Sequence, residues 1–312
     1  MTPANPHPPC RSAAPSAING GRAGDDGCYR PEGRAPTSPW GRGSYGAFGA
    51  RFCRSAALSA ITAVLYLTTT PAAAQPTVTV DGLVAKPGAH ALQPGARLFD
   101  AAHAAGVKSD AYFTGAAWLR RDELKPQRAL KVGLLFDLRT LEQGAFAEGD
   151  EALAALAGRL AAQVGALPVT GRRRNTLDPV RLELEPRSNR PLGAGDRLIY
   201  PPRPTTVTIT GAVEADCVLP FVGLRSATAY AADCPRHAAA DTDWLYVIQP
   251  DGVVSRHGVA GWNRDPAQPL APGARVYVPL RQALVEGRAD ELNDDFAAFL
   301  ATQPVAIGEG GR

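Results

Sequence analysis

Two groups of arginines are the residues of this chain best suited to hold a ligand. Arg120 and Arg121 close an apolar segment, and Arg172, Arg173 and Arg174 stand some fifty positions further on. Guanidinium forks suit the carboxylates of uronic or sialic acids, pyrophosphates, or the acids of a protein partner. The segment between the two groups reads as helical, so if it folds back on itself both groups approach one junction. The plainer alternative is a structural ion pair or a solvated basic loop. Trp118 and Trp262 have faces that stack on sugar rings, with aromatic core as the alternative. Arg120, Arg121, Arg172 and Trp262 are the candidate binding residues.

Other chemistry has less to build on. There is no Gly-x-Ser-x-Gly, and Ser109, Ser188, Ser226 and Ser255 have no His and Asp context for a triad. His90, His103, His237 and His257 are scattered, without metal-ligand spacing, and the cysteines lack Cys-x-x-Cys. No glycine loop for phosphate is present. Carboxylates do pair, as Asp241/Asp243 and Glu183/Glu185, and alternate spacing puts each pair on one face if the segment is extended. A glycosidase needs two carboxylates facing each other across a cleft. The reading is therefore a protein that binds without turnover, with no catalytic residue, metal or cofactor. An enzyme using Asp241 or Glu183 and a small-ligand binder remain as alternatives.

The elements that must position these residues come in two copies. Pro191-Leu192-Gly193-Ala194-Gly195-Asp196-Arg197-Leu198-Ile199-Tyr200 is echoed from Pro269 to Val278, and Val78-Thr79-Val80-Asp81-Gly82 returns as Val207-Thr208-Ile209-Thr210-Gly211. Tandem repeats of small β-rich units more often bind and assemble than catalyse. In the first copy, Thr77 to Val84 reads as a strand, Lys86-Pro87-Gly88-Ala89 as a turn, Leu98 to Ala105 as a helix capped by Gly106, and Ala111 to Leu119 as a strand. Leu124 to Leu141 and Asp150 to Leu167 read as a helical hairpin, with Asp150 as N-cap. Gly82 to Gly211 spans 129 positions but Pro191 to Pro269 only 78, so the first copy is 51 residues longer, and the hairpin accounts for nearly all of that. In the second copy Asp243 to Ile248 and the return from Val253 read as a β-hairpin about Pro250-Asp251-Gly252. Ala289 to Gln303 reads as an amphipathic helix with Leu292, Phe296, Phe299 and Leu300 on one face.

The N-terminal part carries different information. Residues 1–47 contain no Leu or Val and read as a disordered leader or as sequence upstream of the true start. Residues 48–74 read as a secretory signal: Arg51 and Arg54, the apolar run Ala56 to Leu67, then Ala72-Ala73-Ala74 before Gln75. About a dozen apolar residues fall short of the roughly 20 that span a bilayer. Cleavage after Ala74 leaves 26 basic against 27 acidic residues, which gives no reason to propose nucleic acid or an anionic membrane as partner. Only Cys217 and Cys234 survive cleavage. In an exported protein the pair reads as a disulfide rather than two buried thiols.

The order of these segments resembles a known family. Val80-Asp81-Gly82-Leu83-Val84-Ala85-Lys86-Pro87-Gly88 and the helix from Leu98 to Gly106 resemble the soluble-ligand-binding β-grasp module, which recurs in Wza-type outer-membrane polysaccharide export proteins. Over about residues 76–303 the chain is similar to the GfcC family of periplasmic capsule biosynthesis proteins. The stretches that carry this are Gly115-Ala116-Ala117-Trp118-Leu119-Arg120, Val169-Thr170-Gly171-Arg172, Gly195-Asp196-Arg197-Leu198, Tyr246 to Gly252 and Gly261-Trp262-Asn263. The resemblance implies an α+β fold of two tandem β-grasp domains. The first is expected at 75–204 with a helical insertion at about 122–167, and the second at 205–281. A C-terminal helical segment at 282–303 and a disordered tail at 304–312 would follow. It also implies a periplasmic accessory protein for capsule or exopolysaccharide, whose partner is the surface polysaccharide or the outer-membrane export machinery. One departure stands out: Asp216-Cys217 replaces Pro87-Gly88, so the second copy's first turn is expected to be rebuilt, with the Cys217–Cys234 bridge in compensation.

Overall fold

The computed structural model describes residues 77–306 of the 312. The leader expected at 1–47, the signal segment expected at 48–74 and the last six residues of the expected tail lie outside the described residues. The first module runs β1 (Thr77–Gly82), β2 (Gly88–Ala91), α1 (Leu98–Ala105), β3 (Ala117–Leu119), α2 (Leu124–Ala147), α3 (Glu151–Ala166), β4 (Arg172–Arg173), α4 (Pro179–Leu184) and β5 (Arg197–Tyr200). The second runs β6 (Thr206–Gly211), β7 (Cys217–Pro220), α5 (Ala227–Ala232), β8 (Trp244–Ile248), β9 (Val254–Gly258) and β10 (Arg275–Val278), and α6 (Gln282–Val285) and α7 (Leu292–Ala301) follow it.

The sheet orders are β2-β1-β5-β3-β4 and β7-β6-β10-β8-β9, the same order twice. In each, the first and last strands pair in parallel and the other pairs are antiparallel. A hairpin, a helix across the sheet and a central parallel pair make the β-grasp arrangement in both copies. The repeated glycine has a steric cause. Gly82 and Gly211 have φ of +99° and +106°, and a Cβ would lie 2.0 Å from the Tyr200 oxygen in one and 2.3 Å from the Val278 oxygen in the other. Only glycine lets the last strand approach so closely.

Several local expectations are corrected. Of Ala111 to Leu119 only the last three residues are strand, because Phe113–Gly115 forms a 3₁₀ turn first. α2 continues past Leu141 to Ala147, since Gly144 sits in ordinary helical backbone and the left-handed stop comes only at Gly149. Glu183 lies in the helix α4, and Asp241 precedes β8 with its carboxylate accepting from the Asp243 and Trp244 amides. Neither acid pair therefore occupies a strand face. The second copy's first turn is not rebuilt. Val84 and Val213 both bond back to the glycine oxygen at 2.8 Å, and Ala85 and Glu214 both bond to the end of the module's helix region. The anchoring is backbone to backbone, so the changed side chains leave the path intact.

Those changed side chains serve other contacts. Cys217 and Cys234 form a disulfide with Cα atoms 6.0 Å apart, joining β7 to the chain after α5. Asp216 accepts from Gln163 of α3 at 2.8 Å and from Thr210 at 2.8 Å, and Arg159 of α3 donates to the Gly211 and Val213 carbonyls. The hairpin thus docks on the second module. Its buried Leu134, Leu138, Leu141, Leu156, Leu160 and Val164 share one core with Ile209, Tyr277, Phe296 and Phe299, while Val78, Val80, Leu98, Trp118, Leu198 and Tyr200 form a separate core in the first module. Inserted into one module by sequence, the hairpin packs on the other. α7 lies between α2 and the second sheet, where Phe296 stacks on Tyr277 at 4.7 Å.

Candidate functional site

The junction of the two modules leaves a polar cleft of about 310 Å³. One wall is Phe113 and Thr114 with the strand-to-helix segment Arg174, Asn175, Thr176, Asp178 and Arg181, and Asp251 of the β8–β9 turn faces it. Backbone needs fix most of these groups. Asp178 caps α4 by accepting from the Val180 amide at 3.0 Å, and Pro179 follows at the helix start. Asp251 accepts from the Val253 amide at 2.9 Å. Asn175 donates to the Thr176 and Ser188 carbonyls, and Arg181 spends two nitrogens on Glu185. Arg174 differs. Its aliphatic stem lies over Gly252, and its guanidinium donates no hydrogen bond to another described residue. The cleft therefore offers one uncommitted guanidinium, one free oxygen on each of two aspartates, and an aromatic edge.

A buried seam holds the two sides of the cleft together. Arg172 is 6 % exposed, and its guanidinium donates to the Pro250, Ala301 and Gln303 carbonyls. Burial first, and then Arg275 and Arg174 nearby, lower its pKa to about 10, while Asp251 acts in the opposite sense. Arg275 donates to the Leu300 and Gln303 carbonyls and is likewise lowered by burial. Thr170 donates to the Thr302 carbonyl at 2.6 Å and Tyr112 to that of Pro272 at 2.9 Å. Arg172, a candidate ligand residue by sequence, is buried, and both terminal nitrogens of its guanidinium are bonded to the protein's own backbone.

Arg120 and Arg121 do not meet Arg174. Leu119 pairs with Arg172 and Trp118 with Arg173, so Arg174 continues one way along β4 and Arg120 lies at the opposite end of β3, on the order of 10 Å apart. Arg120 is bonded to Asp122 at 2.6 Å and sits 3.9 Å from Asp196, with its carbon 4.9 Å from the Trp118 ring centre. Its Nε is buried without a hydrogen-bond partner. The Arg121 guanidinium lies against Gly195, whose Cβ would meet it at 2.7 Å. Trp118 is core, donating to Asp196 at 2.9 Å. Trp262 is 74 % exposed and meets Trp244 edge-on at 6.4 Å, with Arg256 stacked on Trp244. It lies outside the cleft lining.

One Ser–His bond is present, Ser255 Oγ to His257 Nε2 at 2.8 Å, but among the described residues no carboxylate orients the imidazole. The hollow beside it holds about 30 Å³, enough for one water. Among the described residues no cluster of three metal-ligating side chains occurs, and no helix is long and apolar enough to cross a membrane. Asp178, Asp251 and Arg181 escape a sequence reading because each looks like ordinary cap, turn or i,i+4 chemistry. Only the fold brings them together.

A sheet order repeated in tandem, with a polar cleft where the copies meet, defines a two-module β-grasp protein. Residues 74–203 match the model for the N-terminal domain of capsule biosynthesis protein GfcC, and residues 216–304 match that for its C-terminal domain. The chain is also 34 % identical over 179 residues to the uncharacterized protein YjbG of Escherichia coli strain K12, covering 57 % of this chain and 72 % of that one. The protein belongs to the GfcC family of capsule biosynthesis proteins.

Proposed function

We propose that this protein is a periplasmic, non-enzymatic accessory of capsule or exopolysaccharide assembly and export, and that it holds the polymer at the cleft between its modules. The observation that carries the reading is Arg174. Its guanidinium donates no hydrogen bond to another described residue and is set in a cleft otherwise lined by hydrogen-bonding groups, in a chain whose family serves capsule biosynthesis. A free guanidinium suits a carboxylate-bearing sugar, and Phe113 offers an apolar edge to a ring. The disulfide fits an oxidising compartment. Arg120 with Arg121 and the exposed Trp262 are outlying surfaces that the same polymer or the export machinery would touch.

Two alternatives are separated from this reading by experiment. A cleft of about 310 Å³ also suits a small solute, being at the lower end of ligand pockets. Asp178 and Asp251, both lining the cleft, are the carboxylates that an enzyme would use. The test is surface polymer in a deletion strain complemented with the parent or with Arg174→Ala plus Arg181→Ala. The reading expects polymer to fall on deletion, return with the parent, and stay low with a variant present at parental level. Unchanged polymer in the deletion strain would sink it. Turnover of the native polymer, lost on Asp178→Asn or Asp251→Asn, would replace it with the enzyme.

A further inference from the structure

β9 is the outermost strand of its sheet, and it runs from the cleft to a second surface. Its turn carries Asp251 and lies against the stem of Arg174, and its far end enters the loop 259–265 that holds Trp262. Gly252 to Gly258 is six steps of extended chain, about 20 Å at the rise of an antiparallel strand. The loop is fixed by polar bonds. The Val259 amide donates to the Asp243 carbonyl at 2.8 Å, the Ala260 amide to Asn263 Oδ1 at 3.0 Å, and Asn263 Nδ2 to the Asp243 carbonyl at 3.1 Å. Asp265 accepts from the Gly258 amide at 2.8 Å and donates its own amide to the Gly258 carbonyl at 3.0 Å. Trp262 has no part in this frame. It meets Trp244 only edge-on and is 74 % exposed, so at least one ring face is open and its burial adds little to the fold.

The edge between the two ends is cationic. Arg256 lies 4.0 Å over Trp244, and its guanidinium makes no hydrogen bond or ion pair to another described residue. A stacked guanidinium keeps its donors free at its rim. Arg264 reaches only the Val259 carbonyl, at 3.5 Å. The carboxylates of the same edge are differently placed, since Asp251 and Asp265 each accept from a backbone amide. The strand adds backbone groups of its own. Bonds from Val259 to Asp243 and from Gln249 to Val253 set the ladder, so Val254, Arg256 and Gly258 turn their amides and carbonyls outward. Asp265 takes those of Gly258, leaving those of Val254 and Arg256. We propose that the outer edge of β9, from Arg174 to Trp262, is a track for one acidic polysaccharide chain. Carboxylates of the chain lie on Arg174 and Arg256, its hydroxyls meet the outward backbone groups, and one sugar ring stacks on Trp262. This rests on the proposed binding of polymer at the cleft.

The groups present select this occupant. A strand added from another protein would pair with only two residues before the Asp265 loop closes the edge. A two-fold contact of the edge with its own copy would set guanidinium against guanidinium. An extended anion that also bears hydroxyls and flat ring faces has a partner for each group on the edge, the guanidinium forks, the backbone groups and the indole. Two subsites on one chain also make affinity depend on chain length, because the second contact becomes intramolecular once the ligand spans both.

The test is calorimetric titration of the parent, Trp262→Ala, Trp262→Phe, Arg256→Gln and Arg174→Ala with the purified native surface polymer and with its size-fractionated fragments. Fragments too short to span about 20 Å should bind the parent and Trp262→Ala equally and bind Arg174→Ala more weakly. The full polymer should bind the parent on the order of 100-fold more tightly than those fragments. Trp262→Ala and Arg256→Gln should each lose most of that gain, and Trp262→Phe should keep most of it. The melting temperature of Trp262→Ala should stay within about 3 °C of the parent's. Equal affinity of parent and Trp262→Ala for the full polymer, with short fragments still held through Arg174, would overturn the track and leave the cleft reading standing. Self-association of the parent that Trp262→Ala loses would also overturn it, giving the edge to a second copy. If the parent binds neither fragments nor polymer, the cleft reading fails and the track falls with it.

Discussion

Arg172 donates to the carbonyl of Pro250, seventy-eight residues ahead, across the junction of the two modules. The same guanidinium holds the end of α7 through Ala301 and Gln303, so one side chain joins β4, the β8–β9 turn and the C-terminal helix. The cleft lined by Arg174 and Asp251 exists because this clasp sets the distance between its walls.

Arg172→Ala removes three hydrogen bonds, leaving the Pro250 and Ala301 carbonyls without this donor while the Gln303 carbonyl keeps Arg275. Hydrogen bonds to charged groups contribute about 1.5–3 kcal/mol each net of solvation, and a buried network lost in one step costs about 2–4 kcal/mol. In a domain of this size that lowers the melting temperature by on the order of 10 °C. Arg172→Lys should recover only part, because an ammonium cannot reach three acceptors with the geometry of the fork. Thermal unfolding of the three proteins checks this, and equal stabilities would contradict the clasp.

The Cys217–Cys234 bridge closes a short loop, worth roughly 3 kcal/mol on the chain-entropy account. Cys217→Ser plus Cys234→Ser should lower the melting temperature by about 6–12 °C, and reductant should shift the parent but not the variant. An unchanged melting temperature would show that the bridge does not stabilise β7.

Alkali should unfold the protein through its tyrosines. Tyr200, Tyr246 and Tyr277 are raised above their ordinary value by burial, with the hydrogen bond to Asp294 adding at Tyr246. Each hydroxyl donates to an acceptor, respectively the Leu177 carbonyl, Asp294 and Asn293, so a phenolate would face a lone pair. Unfolded tyrosines ionise near pH 10. The phenol contribution is therefore complete below about pH 10 and is lost as pH rises above it, because the unfolded chain releases those protons first. Arg172 and Arg275, lowered in the fold, act in the opposite sense over the same range and reduce the slope. Urea unfolding from pH 9 to 11.5, with phenolate absorbance as second probe, should show stability falling as the buried phenols ionise on unfolding. Tyr246→Phe should flatten the fall.

Legibility in the sequence followed the range of the interaction. Gly106 ends α1 with φ of +62°, and Asp150 caps α3 by accepting from Leu153, both local events spelled by neighbouring residues. The repeat was legible because the Gly82 and Gly211 turns demand glycine in both copies. The doubled β-grasp fold and its family resemblance followed from that. The cleft was not legible. Its walls come from residues 113–114, 174–181 and 251, and nothing near Arg174 in sequence distinguishes it from Arg172. What separates them is tertiary: one guanidinium is turned inward onto three carbonyls and the other is left in the cleft. The docking of the hairpin on the second module was hidden likewise, since Arg159, Gln163 and Asp216 declare no partner until the chain folds.

Calorimetric titration of the purified protein with its purified surface polymer tests the central claim most directly. The account predicts binding by the parent and a loss of about 10- to 100-fold in affinity for Arg174→Ala, the equivalent of one charge-assisted hydrogen bond. The carboxyl-reduced polymer should bind both proteins equally weakly. Equal affinity of parent and variant for the native polymer would contradict it, as would binding of a small solute with none of the polymer.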